Sequence, residues 1–303
     1  MEDKILEKLT KCPLCKSGLF LTGQEIKDLA VSQEKFSICN CTNCGLKFTN
    51  PRPSAESIGK YYDFPEYFSH DDKATNLTQF IYQSVRKYTI NQKVKFLTSL
   101  KPQKGKFLDY GCGTAELLSK ASDSGWKVTG IEPNEKARSL ANSKLEGKIH
   151  ATIDKLPKTA SFDIITLYHV LEHIHSLRKT LKLIINHLKS DGYIIIAVPN
   201  PESYDAVKYG EFWAGWDVPR HLYHFNAKSI EQIGDIFDLQ LVQELPMYFD
   251  SYYVSLLSEG YADPNQSLVK KYWKAIVAGK KSNQEAAKRA GNYSSNLFIF
   301  KKK

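Results

Sequence analysis

Between residues 101 and 246 the chain alternates short apolar runs with amphipathic stretches of helical spacing. The apolar runs are strand-sized and lie at 106–110, 127–131, 148–153, 162–167 and 192–198. The stretches between them predict helices at 114–124, 134–143 and 177–188, with a further helical segment through Leu171. Strands separated by helices of this length predict the α/β class, with a parallel, doubly wound sheet.

The segments on either side of this region have different patterns. Residues 54–100 are predicted to be helical, and near their start they contain an aromatic group of Tyr61, Tyr62, Phe64, Tyr67 and Phe68. Further along, 227–237 predicts a helix and 239–245 a strand. Residues 247–292, which are rich in tyrosine, predict a helical insertion. A last strand is predicted at 296–300, antiparallel and at the edge of the sheet.

A glycine-rich loop follows the first strand of the predicted sheet. Its sequence is Phe107-Leu-Asp109-Tyr-Gly111-Cys-Gly113-Thr-Ala115-Glu116. Glycines let the backbone approach a ligand closely, and the start of the following helix favours an anionic group. In the dinucleotide motif G-x-G-x-x-G/A, the last small residue would be replaced here by Glu116, whose charge would face a pyrophosphate. The loop therefore argues against a nicotinamide cofactor.

The loop resembles instead the first motif of class I S-adenosylmethionine-dependent methyltransferases, in which G-x-G-x-G follows an acidic residue. Ala115 replaces the third glycine. A second acidic residue, Glu132, ends the second strand 21 residues after Gly111, where its carboxylate can accept hydrogen bonds from both ribose hydroxyls. Capping of the next helix is the alternative role for Glu132. The resemblance implies a Rossmann-like fold and S-adenosyl-L-methionine as the cofactor.

The resemblance extends through 161–174 and 192–200, which are similar to the fourth and fifth strands of small-molecule methyltransferases, in particular ubiquinone-type O-methyltransferases and enzymes found beside polysaccharide genes. Tyr168 and His169 match positions beside the methionine part of the cofactor and the reacting methyl group. Asp154 is either a partner of the adenine amino group or an ordinary loop aspartate. The residues expected to bind the cofactor are Asp109, Tyr110, Gly111, Gly113, Glu132, Asp154, Tyr168 and His169.

The fourth-strand segment also contains H-x-x-E-H, from His169 to His173, which is the signature of inverted zinc peptidases. On a helix the two histidines would share a face and could bind zinc. The motif directly follows a buried strand, where the methyltransferase resemblance places it. We therefore favour a helix-start or packing role for Glu172 and His173.

Five of the six cysteines lie between Cys12 and Cys44. They include two C-x-x-C pairs, Cys12 with Cys15 and Cys41 with Cys44, and 25 residues separate the pairs. Two such turns supply four thiolates for tetrahedral zinc, and four thiolates leave no open position, so the metal would be structural. Cys39 could replace Cys41, although the turn completed by Gly45 favours Cys41. A redox dithiol is the alternative.

The segment 212–225 follows the fifth strand and resembles a W-x-x-P-R-H-x-x-H-F stretch of related methyltransferases. In an open sheet ligands bind beyond the carboxyl ends of the strands, so we expect this loop to meet the methyl acceptor. His221 or His224 could remove a proton from an acceptor hydroxyl as a catalytic base, and Arg220 could hold an anionic group. Packing within the loop is the alternative for all three.

Aromatic residues suggest two further surfaces. One is a lid over the cofactor, formed by Tyr61, Tyr62 and Tyr67. The other is a wall of the acceptor pocket, formed by Tyr248, Tyr252, Tyr253 and Tyr261. Helix packing is the alternative for both sets.

Composition and charge limit the class of protein. Hydrophobic residues make up 42% and charged residues 25% of the chain, which is an ordinary globular balance. The apolar runs are too short for a membrane span, and the charged N-terminus lacks a signal-peptide pattern. We therefore expect a cytoplasmic protein, in which disulfides are rare. The net charge of +9 permits contact with RNA, anionic lipids or phosphorylated molecules.

Together these features predict a methyltransferase that acts on an oxygen or nitrogen of a small-molecule, sugar or lipid-like acceptor. The alternative is an RNA methyltransferase of the rRNA type with an RNA-binding ribbon, which acidic residues such as Glu25, Asp28 and Glu34 would oppose. An interaction module on a degenerate scaffold is the non-enzymatic alternative. The predicted units are a zinc ribbon (1–50), a helical linker or lid (51–100), a Rossmann-like methyltransferase domain (101–246 and 293–303) and a helical insertion (247–292).

Overall fold

The N-terminal part of the chain folds into short strands around the cysteines. The computed structural model describes residues 6–62, 77–288 and 291–303. Its first strands are β1 (Leu6–Glu7), β2 (Phe20–Lys27), β3 (Lys35–Cys41), β4 (Lys47–Thr49) and β5 (Arg52–Pro53). β2, β3 and β4 form an antiparallel sheet, and β1 pairs with β5. Their C-x-x-C turns bring the two cysteine pairs together at one end of this sheet.

The middle of the chain alternates helices and strands as its hydrophobic pattern predicts. The elements are α1 (Leu77–Leu100), β6 (Lys106–Tyr110), α2 (Glu116–Asp123), β7 (Lys127–Ile131), α3 (Glu135–Lys144), β8 (Ile149–His150), β9 (Phe162–Tyr168), α4 (Leu177–Asn186) and β10 (Leu188–Pro199). The five strands are parallel, in the order β10-β9-β6-β7-β8. This arrangement confirms the α/β, Rossmann-like fold.

The C-terminal part completes the central sheet and adds a helical layer. Its elements are α5 (Tyr204–Tyr209), β11 (Tyr223–His224), α6 (Ala227–Phe237), β12 (Leu239–Pro246), α7 (Asp250–Ala262), α8 (Leu268–Lys288) and β13 (Ser295–Lys302). β13 is antiparallel to both β10 and β12, so the central sheet has seven strands in the described part of the chain.

Three local predictions were wrong. The last strand is antiparallel but internal, because the side chains from Ser295 to Phe300 are buried and require a neighbour on each side, whereas the more polar β12 takes the edge. The predicted third strand shrinks to two residues, and 153–155 form a 3-10 turn. The predicted helix through Leu171 is a single 3-10 turn, because the carbonyl of Glu172 accepts its hydrogen bond from Leu222 N–H, outside any helix.

Apolar clusters cover both faces of the central sheet. On one face α1, α2 and α3 pack over residues such as Phe107 and Ile195. On the other face, α4 and α6 share a continuous core with the cysteine segment, in which Leu14 and Phe48 are fully buried. Burial of such side chains stabilises the fold by about 1.5–3 kcal/mol each. The N-terminal strands are therefore packed into the main body of the protein.

The loop 212–225 is joined to the N-terminal sheet by backbone pairing. β11 extends that sheet, with Tyr223 opposite Phe48 and His224 opposite Lys47. Thr49 adds two hydrogen bonds: its N–H donates to Leu222 O at 3.0 Å and its Oγ1 donates to His221 O at 2.8 Å. The cysteine-bearing sheet therefore fixes the backbone on which the two candidate catalytic histidines lie.

The buried side chain of Arg220 also joins the 212–225 loop to the N-terminal sheet. Its side chain is 2% exposed, and its guanidinium donates to Asp28 Oδ1 at 3.0 Å, to both Asp217 oxygens and to the Tyr61 carbonyl. Asp28 belongs to the turn between β2 and β3, and it also accepts hydrogen bonds from backbone N–H groups of that turn. The hypothesis that Arg220 holds an anionic acceptor is therefore wrong, because its donors are already used in the interior.

We expect Arg220→Met to lower the free energy of unfolding by about 3–5 kcal/mol, because it leaves two carboxylates without their buried cation. Chemical denaturation measures this loss. The matched control is Arg86→Met, which removes the more exposed Arg86–Glu116 pair and should cost less than about 1 kcal/mol. Equal effects of the two substitutions would contradict the structural role of Arg220.

Candidate active site

The predicted cofactor residues lie along one edge of the central sheet, where β6, β7 and β9 end. Parallel strands bring their carboxyl ends to the same edge, which is where open α/β sheets bind ligands. The glycine loop follows β6, Glu132 follows β7, and Tyr168 and His169 lie at the end of β9. The loop with β11 approaches the same edge, since Leu222 N–H binds the Glu172 carbonyl.

The glycine loop follows a left-handed path that leaves an opening beside it. Gly111, Gly113 and Ala115 have φ angles of +79°, +54° and +66°. A side chain on Gly111 would overlap Val170, whereas a Cβ on Gly113 would meet no atom within 4 Å. The alanine that replaces the third glycine keeps the same conformation, at a cost of about 1–2 kcal/mol. Gly113 therefore presents bare backbone to open space, as close approach of a ligand requires.

Glu132 ties the glycine loop to the end of β7. Its carboxylate is 9% exposed and accepts hydrogen bonds from Gly113 N–H at 2.9 Å and Asn134 N–H at 2.8 Å. The cap of α3 is Asn134, whose side chain accepts from Ala137 N–H, so Glu132 does not cap that helix. A carboxylate has about four acceptor positions, so Glu132 retains two for a ligand.

Asp109, at the end of β6, and Lys93, on α1, each favour the charged form of the other. Asp109 accepts a hydrogen bond from Thr166 Oγ1 at 2.6 Å, and burial raises the pKa of its carboxyl to about 6. Lys93, on α1, places its Nζ 3.7 Å from the centre of the Tyr168 ring, and burial lowers the pKa of this ammonium group. Sequence reasoning missed Lys93; its only signal was a lysine within an amphipathic helix.

Tyr110 and Asp154 lie further along the same edge. Tyr110 is half-buried, and burial followed by the charge of Asp154 raises the pKa of its hydroxyl. Asp154 is exposed within the 3-10 turn after β8. Both residues therefore lie where strands of the sheet end, and their contact with the adenine ring stays a prediction.

His169 leaves β9 with an unusual backbone and a charged side chain. Its φ is +55°, and its Nε2 lies 3.0 Å from Asp250 Oδ2 of α7. Burial opposes a positive charge on this ring, but Asp250 and then Glu172 raise the pKa of His169 to about 10. At neutral pH His169 is therefore a cation that links the helical insertion to the end of β9.

Glu172 is a buried carboxylate among histidines. It is fully buried, and neither of its oxygens receives a hydrogen bond from the described residues. The Nδ1 atom of His169 lies 3.6 Å and the Nε2 atom of His221 lies 4.0 Å from Oε1. Burial opposes its ionisation, yet the contact with His169 holds the pKa of Glu172 below its usual value.

The orientation of two histidine rings is set by backbone carbonyls. Nδ1 of His221 lies 2.9 Å from Gly215 O, and Nδ1 of His173 lies 3.0 Å from Arg220 O and from the Tyr62 hydroxyl. A carbonyl only accepts, so each Nδ1 carries a hydrogen, and in the neutral ring the lone pair is on Nε2. Burial lowers the pKa of His173 to about 4, so His173 is neutral.

His224 lies deeper than His221. It is 3% exposed, its ring centre is 5.0 Å from that of Trp216, and its Nε2 has no hydrogen-bond partner among the described residues. Burial holds the pKa of His224 well below its usual value. Of the two predicted bases, His221 is the one whose free nitrogen faces a carboxylate.

Among the described residues, two groups of side chains bring potential metal-ligating atoms close together. The Sγ atoms of Cys12 and Cys44 lie 3.6 Å apart and those of Cys15 and Cys41 lie 3.5 Å apart, close to the roughly 3.8 Å of a tetrahedron with 2.3 Å zinc–sulfur bonds. Cys39 is directed instead toward Thr22 and the Asn50 carbonyl. In the second group, donor atoms of Glu172, His173 and His221 lie within 4.8 Å of one another.

The structure does not form the predicted aromatic lid from Tyr61. Tyr61 is 1% exposed, packs on Phe36 and donates to Glu34, so it belongs to the core beside the N-terminal sheet and not to a lid. Tyr62 contacts His173, and Tyr67 lies outside the described residues.

The predicted acceptor wall is not one continuous surface. Tyr248 and Tyr253 are each 53% exposed, and Tyr252 packs beside Gly279. Tyr261 alone of the four borders a small cleft, together with Trp213, Asp217 and Arg220. The cleft lies beside the loop that carries His221.

Comparisons with known proteins agree with this architecture. A family model described as a methyltransferase domain matches residues 82–244. The chain is 26% identical over 129 residues to a ubiquinone biosynthesis O-methyltransferase of Rickettsia typhi, which covers 39% of this chain and 52% of that protein. It is 33% identical over 129 residues to a demethylmenaquinone methyltransferase of Lactobacillus johnsonii, covering 38% and 53%. The matches thus span about half the length of these relatives.

Among solved structures, the fold is similar to that of StiE O-MT, with a TM-score of 0.50 and 14% sequence identity over 76% of this chain and 78% of that one. This likeness bears on the fold alone. The family match, in contrast, covers more than half of the chain and includes the glycine loop, Glu132 and the His169–His173 segment. The chain therefore belongs to the methyltransferase domain family, which confirms the class I S-adenosylmethionine-dependent methyltransferase family that its motifs predicted.

Proposed function

We propose that this protein transfers a methyl group from S-adenosyl-L-methionine to an oxygen or nitrogen of a small-molecule acceptor. The main support is the meeting of two features at one sheet edge: the open glycine loop held by Glu132, and the Glu172–His221 pair. The relatives named ubiquinone biosynthesis O-methyltransferase and demethylmenaquinone methyltransferase favour a quinone-related acceptor within the proposed class of small-molecule, sugar or lipid-like acceptors. RNA is the alternative acceptor.

The residues at this edge fit the cofactor. Glu132 has two acceptor positions left for ribose hydroxyls, and Gly113 offers backbone beside open space. Asp109 is a buried carboxylate with a raised pKa, so a cationic ligand group nearby would favour its ionised form. When bound, the cofactor supplies a methyl group on a sulfonium centre. Tyr110, Gly111, Asp154, Tyr168 and His169 complete the proposed set.

His221 is the proposed catalytic base. Its Nδ1–H is fixed on the Gly215 carbonyl, which leaves Nε2 free to accept the acceptor proton. The imidazolium that forms has the Glu172 carboxylate 4.0 Å away, an attraction of about 4 kcal/mol at an effective dielectric constant of about 20. Glu172 thus stabilises the protonated base, and His224 packs behind it.

The four cysteines Cys12, Cys15, Cys41 and Cys44 are proposed to bind one structural zinc ion. Their sulfur separations fit a tetrahedron, and four thiolates leave no position for a substrate. Because β4 pairs with β11, the proposed zinc would stabilise the sheet that positions His221.

The cofactor assignment is tested by Glu132→Ala. This variant should weaken S-adenosyl-L-methionine binding at least tenfold in a calorimetric titration, because it removes the proposed ribose acceptor and frees the glycine loop. The control is Glu135→Ala, an exposed neighbour at the start of α3, which should bind like the parent chain. Melting temperatures of both variants separate lost binding from lost folding. Parental affinity in Glu132→Ala would refute the assignment.

The base is tested by His221→Gln. The probes are a prenylated hydroquinone, an amino-sugar nucleotide and ribosomal RNA, and the readout is S-adenosylhomocysteine formation. We expect turnover with a small-molecule probe to fall by about 10²–10⁴-fold with unchanged cofactor affinity. His187→Gln, at another buried histidine bound to a carbonyl, should leave the rate unchanged. Turnover with RNA alone would favour the alternative function.

The zinc site is tested by replacing two neighbouring cysteines. Cys41→Ser should lose most of the zinc measured by mass spectrometry and melt at a lower temperature, whereas Cys39→Ser should retain one zinc per chain. Zinc lost only from Cys39→Ser would contradict the ligand set. A second zinc ion in the parent chain that is lost in His173→Gln would instead place a metal at Glu172, His173 and His221, and this result would overturn His221 as a base.

A further inference from the structure

Helix α8 has an inner face of small residues that packs tightly on its neighbours. Ala275, Ala278, Gly279 and Ser282 are buried. Ser282 Oγ donates to Asp205 of α5 at 2.6 Å, and Ser251 of α7 donates to the Gly279 carbonyl at 3.1 Å. The rotation of α8 about its axis is therefore fixed, and so is the face that it turns outward.

The outward face of α8 is apolar. Val269, Trp273, Ile276 and Val277 are 82%, 66%, 58% and 46% exposed, and Leu268 at the start of the helix is 71% exposed. Trp273 follows Val269 by four residues, and Ile276 and Val277 follow Trp273 by three and four. These spacings place the four side chains on one stripe of the helix. Single exposed apolar residues are common on protein surfaces, but a contiguous stripe with tryptophan at its centre indicates a binding surface.

Lysines border this stripe. α8 contains Lys270, Lys271, Lys274, Lys280, Lys281 and Lys288 against one acidic residue, Glu285. Lys270 and Lys281 are exposed and project on the same side of the stripe, at about 60–80° from Trp273 given 100° per residue. Lys280, also exposed, follows the line of the stripe one turn beyond Ile276, and Lys281 Nζ lies 5.3 Å from the centre of the Tyr204 ring. Long lysine side chains can lie along an apolar surface while their ammonium groups reach anionic groups at its boundary.

We propose that the outer face of α8 binds an anionic lipid surface, with Val269, Trp273 and Ile276 in the headgroup region and the lysines on lipid phosphates. No described helix is long and apolar enough to span a membrane, whereas a helix with an apolar stripe, a central tryptophan and flanking lysines suits the plane of the interface. The charge of +9 complements such a surface. This proposal does not depend on the methyl-transfer proposal.

Tryptophan fluorescence provides a direct probe on the intact protein. Trp126, Trp213 and Trp216 are at most 5% exposed, so Trp273 is the one tryptophan whose emission should respond to a new apolar surface. We expect a blue shift and co-sedimentation with vesicles of phosphatidylglycerol and phosphatidylcholine. Pure phosphatidylcholine vesicles should give a much smaller effect, and added salt should weaken binding. An unchanged spectrum without co-sedimentation would overturn the proposal.

Variants on and outside α8 distinguish binding by the stripe from nonspecific binding by exposed apolar or basic residues. Val269→Ser with Ile276→Ser should reduce vesicle binding at least tenfold, whereas Leu21→Ser with Leu140→Ser, at residues 65% and 56% exposed outside α8, should not. Lys270→Gln and Lys281→Gln should each reduce binding about fivefold. Lys155→Gln and Lys158→Gln, which are exposed elsewhere, are their controls.

The outcomes distinguish a membrane from other partners. Equal losses in test and control variants would contradict a specific role for α8. A parent chain that is dimeric in solution, does not bind vesicles and becomes monomeric after Val269→Ser with Ile276→Ser would show that a second copy covers this face. That result would also overturn the proposal.

Discussion

The pairing of β4 with β11 is the constraint on which the candidate site depends. It places a backbone strand from the C-terminal half of the chain beside the cysteine-bearing sheet, with His224 opposite Lys47. The hydrogen bond from Thr49 to the His221 carbonyl and the buried Arg220–Asp28 ion pair reinforce the same junction. A backbone held at so many points leaves little freedom to the His221 ring, whose Nδ1 is also fixed. The proposed zinc would therefore affect catalysis indirectly, because it would stabilise the sheet that holds the His221 backbone in position.

The histidines around Glu172 differ in their protonation state. His169 is held protonated by Asp250 and Glu172, and His173 is held neutral by burial. A buried carboxylate without a hydrogen bond is costly unless a partner compensates it. His169, 3.6 Å from Glu172 Oε1, is such a partner in the resting protein, and protonation of His221 during turnover would add a second one 4.0 Å from the same oxygen.

The elements that depend on local sequence pattern could be predicted from the sequence. The strands β6, β7 and β9, the glycine loop and Glu132 follow from short-range apolar runs and from motif spacing, and each lies where it was predicted. The position of β13 inside the sheet depends on pairing with a strand about a hundred residues away, which periodicity does not reveal. Arg220 was misassigned because its partner Asp28 is distant in sequence. For Glu172, the one available signal was an acidic residue within the apolar Val170–Ile174 segment.

The most direct test of the account is a crystal structure of the protein with S-adenosylhomocysteine. The account predicts the ribose against Glu132, the ligand backbone beside Gly113, and the sulfur on the side of the edge that faces Glu172 and His221. A ligand bound elsewhere, or bound at the glycine loop with its sulfur turned away from the histidines, would contradict the proposed site of methyl transfer.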